Sequence, residues 1–281
     1  MTGRVSTPGG DFDSRPGPDP VALTELAIEL ARKAAALILQ WRAQGFTVST
    51  KSSPTDVVTE ADRAVEELLR AELARHRPHD AILGEEGGDG GPVEARVRWL
   101  LDPIDGTVNF MLGLPQFAVS IAAQVDGQTV AGCVLNPVSG DLFHATLGRG
   151  AYLGERRLTG PRSVSLAEAV LATGFGYDQQ LRASQARVVA ELLGQVGNLR
   201  RLGSAALDLC ALAAGWVDLY FEGPLGEWDY AAGLLIAQEA GVRAAGPPGQ
   251  PPGTQLVAAA HPERAEEFFA LLYRLGAGVA S

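Results

Sequence analysis

Apolar positions along the chain follow two rhythms, and the switch between them outlines its organisation. Leu23, Leu26, Ala27, Leu30, Ala34, Leu37, Ile38 and Trp41 recur at steps of three and four, which predicts an amphipathic helix. Asp19 and Pro20 suit its start and Gly45 its stop. A second helix, with Val65, Leu68, Leu69 and Leu73 inward, opens on the capping pattern from Thr59 to Asp62. Short apolar runs at 81–83 and 99–101 predict strands, and those at 117–125, 129–135 and 142–146, separated by tight turns, predict an antiparallel meander. From about Ala167 the units lengthen into alternating strands (170–174, 217–221, 256–260) and helices (about 185–194, after Ser204, 230–240, and from Pro262). The pattern predicts a layered α/β fold. Its antiparallel lobe covers about residues 21–160 and its mixed lobe about 161–281, behind a flexible tail at 1–20.

Composition removes several function classes. A formal charge of −10 and a pI near 4.9 argue against general attraction to nucleic acid or an anionic membrane. An acidic protein that handles phosphate needs cations to bring the two together. Cys133 and Cys210 read as reduced core residues of a cytoplasmic protein, and with four dispersed histidines they form no zinc pattern. The first twenty residues lack the apolar segment of a signal peptide, and the longest aliphatic run, 34–39, is too short to span a bilayer.

The candidate chemistry centres on residues 99–110. The apolar run predicts a strand that ends at Asp102, because Pro103 cannot extend a sheet ladder. Asp105, Gly106 and Thr107 follow: a second carboxylate, a residue with no Cβ to hold a ligand off, and a helix start suited to an anion. With the carbonyl of Ile104, this is the composition of a magnesium–phosphate site. Asp-Pro, Asp-Gly and Asn are also ordinary turn residues, so a plain turn remains open on this segment alone. Glu85-Glu86, between a strand and glycines, reads either as a solvated loop or as metal ligands. The glycines through Gly91 suggest a mobile flap beside the site.

Four segments together resemble the inositol monophosphatase family of Mg²⁺-dependent, lithium-sensitive phosphatases. They are 51–56 with Thr59 and Asp62; Gly84-Glu85-Glu86; 102–110; and Trp228-Asp229 with 231–233 and 239–241. The similarity spans about residues 25–275 and implies an α-β-α-β-α sandwich like that of the carbohydrate phosphatases. It implies two to three Mg²⁺ ions. Glu85, Asp102 and the Ile104 carbonyl would hold the first; Asp102, Asp105 and Asp229 the second; Glu85, near Lys51, a weaker third. Thr107 and Glu85 would orient and deprotonate a water that attacks in line, while the amides of Gly106 and Thr107 hold the phosphate. Gly203, Ser204, Ala205 and Glu222, with Asp229, match positions that contact substrate hydroxyls. The implied substrate is a small polyol phosphate, inositol monophosphate first, with histidinol phosphate and sugar bisphosphates as alternatives and a homodimer as the assembly. A non-catalytic regulator that binds RNA polymerase or another protein is the competing class. Asn109, where relatives acting on 3′-phosphoadenosine 5′-phosphate tend to carry glycine, favours the inositol side.

Overall fold

The structure is a computed structural model describing residues 18–50 and 57–278. Most of the expected tail, and Lys51 and Asp56 with the residues between them, lie outside the described residues. The first half comprises α1 (Pro20–Gln44), β1 (Val48–Thr50), β2 (Val57–Thr59), α2 (Glu60–His76), β3 (Ala81–Gly84), β4 (Gly88–Gly90), β5 (Val97–Asp105) and α3 (Thr107–Leu112). A run of strands follows: β6 (Ala118–Val125), β7 (Gln128–Leu135), β8 (Leu142–Thr146), β9 (Gly150–Leu153) and β10 (Arg156–Arg157). The second half comprises β11 (Val170–Thr173), α4 (Gln179–Leu192), β12 (Asn198–Arg200), α5 (Ala205–Ala213), β13 (Leu219–Glu222), α6 (Glu227–Glu239), β14 (Arg243–Ala245), β15 (Val257–Ala260) and α7 (Pro262–Arg274).

Local chemistry accounts for the ends of these elements. The Asp19 carboxylate accepts the amide of Val21 ahead of Pro20, and Gly45 leaves α1 at a φ of 86°. Thr59 and Asp62 form the reciprocal cap of α2, each side chain accepting an amide of the other's segment.

An eight-stranded sheet runs β10-β9-β8-β7-β6-β5-β3-β4, antiparallel except where β3 lies parallel to β5. A five-stranded sheet runs β12-β11-β13-β15-β14, with parallel pairing at β12-β11-β13 and antiparallel pairing beyond. Period-two alternation divides the large sheet cleanly. Trp99 and Leu101 pack with α1 and α2, whereas Leu100 turns to the opposite face against α5 and α6. That second core continues through α5 and α6 onto Tyr220, Val257 and Ala259 of the small sheet. The small sheet's other face, with Leu219 and Phe221, is covered by α4 and α7. The order helix pair, sheet, helix pair, sheet, helix pair is a five-layer α-β-α-β-α sandwich. Among the described residues no helix is long and apolar enough to cross a membrane.

Three expectations need correction. Strand β5 continues past Pro103 to Asp105, because a register shift between Asp102 and Asp105 lets the ladder resume at Ala118 without an amide from the proline. The glycine-rich segment after Glu86 is the short strand β4 on β3 rather than a flap. Helix α4 begins at Gln179, capped by Asp178, earlier than its apolar residues suggest.

Candidate active site

The bulge in β5 governs where the acids go. Asp102 keeps its place in the sheet, opposite Ser120, and its side chain is 1% exposed. Asp105 emerges after the bulge, and Gly106 turns the chain at a φ of 97° into α3. That φ requires glycine, and so does the space: a Cβ there would sit 3.0 Å from the carbonyls of Gln116 and Gly203. Glu85 leaves the end of β3, the parallel neighbour of β5, with its amide on the Leu101 carbonyl at 3.2 Å. Asp229 enters from the first turn of α6, its carboxylate accepting the Gly226 amide at 2.7 Å.

These four acids line one cleft of about 400 Å³, together with Ile104, Gly106, Thr107, Gly203, Ala205 and Glu222. Ser204, also expected at the site, is buried behind that surface, where its hydroxyl donates to Asp105 at 2.5 Å. The amides of Ala205 and Ala206 donate to the same carboxylate at 3.3 and 2.7 Å, so Asp105 caps the start of α5. One side chain thus ties the segment after β5 to the segment predicted to face the substrate. Phe175, Gly176, Tyr177, Arg201 and Trp228 also line the walls, beside the 224–226 segment, and none of these five was singled out as a site residue from sequence.

The electrostatics are one-sided. Burial and then the charge of Glu85 push the carboxyl of Asp102 well above the usual carboxylate range, with Asp105 and Asp229 adding to the effect. Asp229 is raised likewise, by burial and then by Glu85. Burial carries Asp105 up to about 6 even though Ser204 and Ala206 hydrogen-bond its charged form. Glu222 is pushed up to about 7 by burial and by Asp105, against the hydrogen bond from Tyr220 at 3.1 Å.

Whether these residues fit a divalent cation turns on Asp102. Its Oδ1 is buried and has no hydrogen-bond partner, a state that costs about 1–3 kcal/mol or more unless something else binds the oxygen. The surrounding donors are all oxygens, the set a hard cation prefers. They fit. Asp102, Asp105 and Asp229 nevertheless do not draw their ligand atoms within 4.8 Å of one another. Among the described residues only Glu29, Glu72 and His76 do so. That trio, on α1 and α2, already holds the ammonium of Lys33 at 2.7 and 2.8 Å, and Arg75 lies on Glu72. It reads as an ion-pair cluster.

Thr107 sits at the first position of α3, and its hydroxyl lies 3.1 Å from the Ile104 carbonyl and 3.2 Å from Asp62 Oδ1. Asp62 therefore does more than cap α2. Sequence reading assigned it to the cap, and only the loop between β5 and α3 reveals its second neighbour. Asn109 was read as a family marker, yet its amide donates to the carbonyls of Gln116 and Leu202 at 2.7 and 2.8 Å, joining α3 to the loop before α5. Asp208, buried on α5 with neither oxygen hydrogen-bonded, carried no sequence signal at all.

Comparison with known proteins places this geometry. The model of the "Inositol monophosphatase family" matches residues 19–276. The inositol-1-monophosphatase SuhB of Mycobacterium tuberculosis is 46% identical over 282 aligned residues, covering 93% of this chain and 97% of the relative. A solved structure of Mycobacterium tuberculosis SuhB superposes with a TM-score of 0.78 at 42% identity, over 92% of this chain and 98% of that one. A relative in Escherichia coli called Nus factor SuhB is 38% identical, over 78% of this chain and 83% of its own length.

Proposed function

Because the chain belongs to the inositol monophosphatase family, we propose that it is a Mg²⁺-dependent phosphomonoesterase acting on a small polyol phosphate, inositol monophosphate first. One observation carries the reading: carboxylates from β3, β5 and α6 converge on a single cleft around a buried oxygen of Asp102 that has no hydrogen-bond partner. Glu85, Asp102 and the Ile104 carbonyl would hold one ion, and Asp102, Asp105 and Asp229 a second. Bound Mg²⁺ would supply the positive charge that a phosphate monoester's own negative charge demands, and would acidify water nearby. The protein's residues do the rest. The amides of Gly106 and Thr107 receive phosphoryl oxygens; Thr107, steadied by Asp62, orients the attacking water; Glu85 takes its proton. Gly203, Ala205 and Glu222 face the leaving group's hydroxyls, backed by Ser204 and with Asp229 sharing the task. Acid–base help worth roughly 10²–10⁴-fold is far short of the up to ~10²¹ that monoester hydrolysis can demand, so charge neutralisation dominates.

The name of the Escherichia coli relative raises a regulatory reading, in which the fold binds another protein and the cleft is idle. Every expected ligand position here keeps its oxygen, which supports catalysis instead. Phosphate release from inositol 1-phosphate, histidinol phosphate and fructose 1,6-bisphosphate, with Mg²⁺ and with EDTA, separates these readings. The highest kcat/KM is expected on the inositol ester, with inhibition by Li⁺ in the millimolar range. Equal, feeble rates on all three would contradict the substrate assignment. The proposed assembly is a homodimer, which sedimentation checks.

A further inference from the structure

Glu66 is a charged side chain in the core. It lies on α2, only 2% exposed, at a position where helix periodicity alone would call for an apolar residue. Its carboxylate accepts the amide of Glu86 at 2.8 Å through one oxygen and that of Gly87 at 2.8 Å through the other. The Nε of Arg70, one turn along the helix, donates to it at 2.7 Å, and the same guanidinium reaches the Gly88 carbonyl at 2.5 Å. A Cβ added to Gly84 or to Gly87 would collide with this carboxylate, so the turn between β3 and β4 is closed around it.

Glu85 sits in that turn. On one side its amide continues the ladder to Leu101. On the other, the next two amides, of Glu86 and Gly87, both end on Glu66. The turn needs such a hold, because Glu85 lines the same cleft as Asp102 and Asp229, which crowds three carboxylates together. Like charges in a buried cleft push a mobile carboxylate out to water. A buried anion that binds two backbone amides and a guanidinium resists that push, since moving the turn breaks charge-assisted bonds that the buried carboxylate cannot remake with water. We infer that Glu66 is a positioning residue: it anchors the turn that aims Glu85 into the cleft, and so sets the affinity for the first cation. The inference rests on the reading of Glu85 as a metal ligand.

The test uses Mn²⁺ as a probe of the 281-residue chain, with bound ion counted by electron paramagnetic resonance in the absence of substrate. Glu66→Gln offers one acceptor where two are needed, and is expected to weaken Mn²⁺ binding by about 10–100-fold, the range for losing a group that orients a ligand. Glu67→Gln, on the same helix but exposed to solvent, removes the same charge and should leave Mn²⁺ affinity unchanged. Gly87→Ala keeps Glu66 but sets a Cβ 2.7 Å from its Oε1, so turn and carboxylate must part, and is expected to weaken Mn²⁺ binding in the same direction even if Glu66→Gln fails to fold. A purely structural role would lower Tm in Glu66→Gln and Gly87→Ala while the folded variants bind Mn²⁺ like wild type, and that result overturns the anchor. Wild-type protein that binds Mn²⁺ yet hydrolyses no phosphate ester would contradict the proposed function alone.

Discussion

Asp102 carries two burdens at once: an oxygen without a hydrogen bond, and four neighbouring acids that oppose its charge. A residue kept in that state weakens the metal-free protein and serves the loaded one. Asp102→Asn removes the charge at nearly constant shape, so it should raise Tm in EDTA while lowering phosphate release by more than about 10³-fold, with the circular dichroism spectrum unchanged. An unchanged rate would count decisively against the assignment. Thr107 offers a milder case. Thr107→Val deletes the hydroxyl between Ile104 and Asp62, and is expected to lower kcat by about 10²–10⁴-fold with KM nearly constant, as measured by steady-state kinetics.

At the scale of elements, the decisive piece is the bulged end of β5 followed by Gly106. Beyond the bulge Asp105 rejoins the ladder opposite Ala118 with its carboxylate on the start of α5, and the left-handed glycine leaves room for two carbonyls beside α3. Gly106→Ala would force a Cβ against both carbonyls in a disfavoured backbone region. A loss of about 1–3 kcal/mol is expected, read as a lower midpoint in urea unfolding. Much of this was legible in the sequence. Asp102, Asp105, Gly106 and Thr107 stood out by residue type and order, Glu85 and Asp229 through the family resemblance, and all six line one cleft. Caps such as Asp19, Thr59 and Ser204 were legible because they act within three residues of themselves. What stayed hidden acts across long sequence separations. The ladder beyond Pro103 depends on Ala118; Glu66 was hidden inside a helix whose partner is twenty residues away; Asn109 and Asp62 show a second role only once distant loops meet. No local pattern encodes such contacts.

Across the whole molecule, five layers place the cleft where the large sheet, α5 and α6 meet, and its acids make stability depend on pH in an unusual sense. Asp105 is raised from 3.8 to about 6 and Glu222 from 4.5 to about 7, so the folded chain holds protons that the unfolded chain releases. Their contribution is fully present below the unfolded values and is lost as pH rises through the folded ones. Scanning calorimetry in EDTA should therefore show Tm falling between pH 4.5 and about 7. Mg²⁺ should restore most of that loss near pH 7 and little of it at pH 4.5, where protons occupy the acids. A Tm that climbs over this interval in EDTA would contradict the picture. The most direct test of the central claim is anomalous diffraction from crystals soaked in Mn²⁺ and phosphate. Peaks are expected between Asp102 and its neighbours Glu85, Asp105 and Asp229. A cleft without such peaks, or Mn²⁺ found only at Glu29, Glu72 and His76, would contradict it.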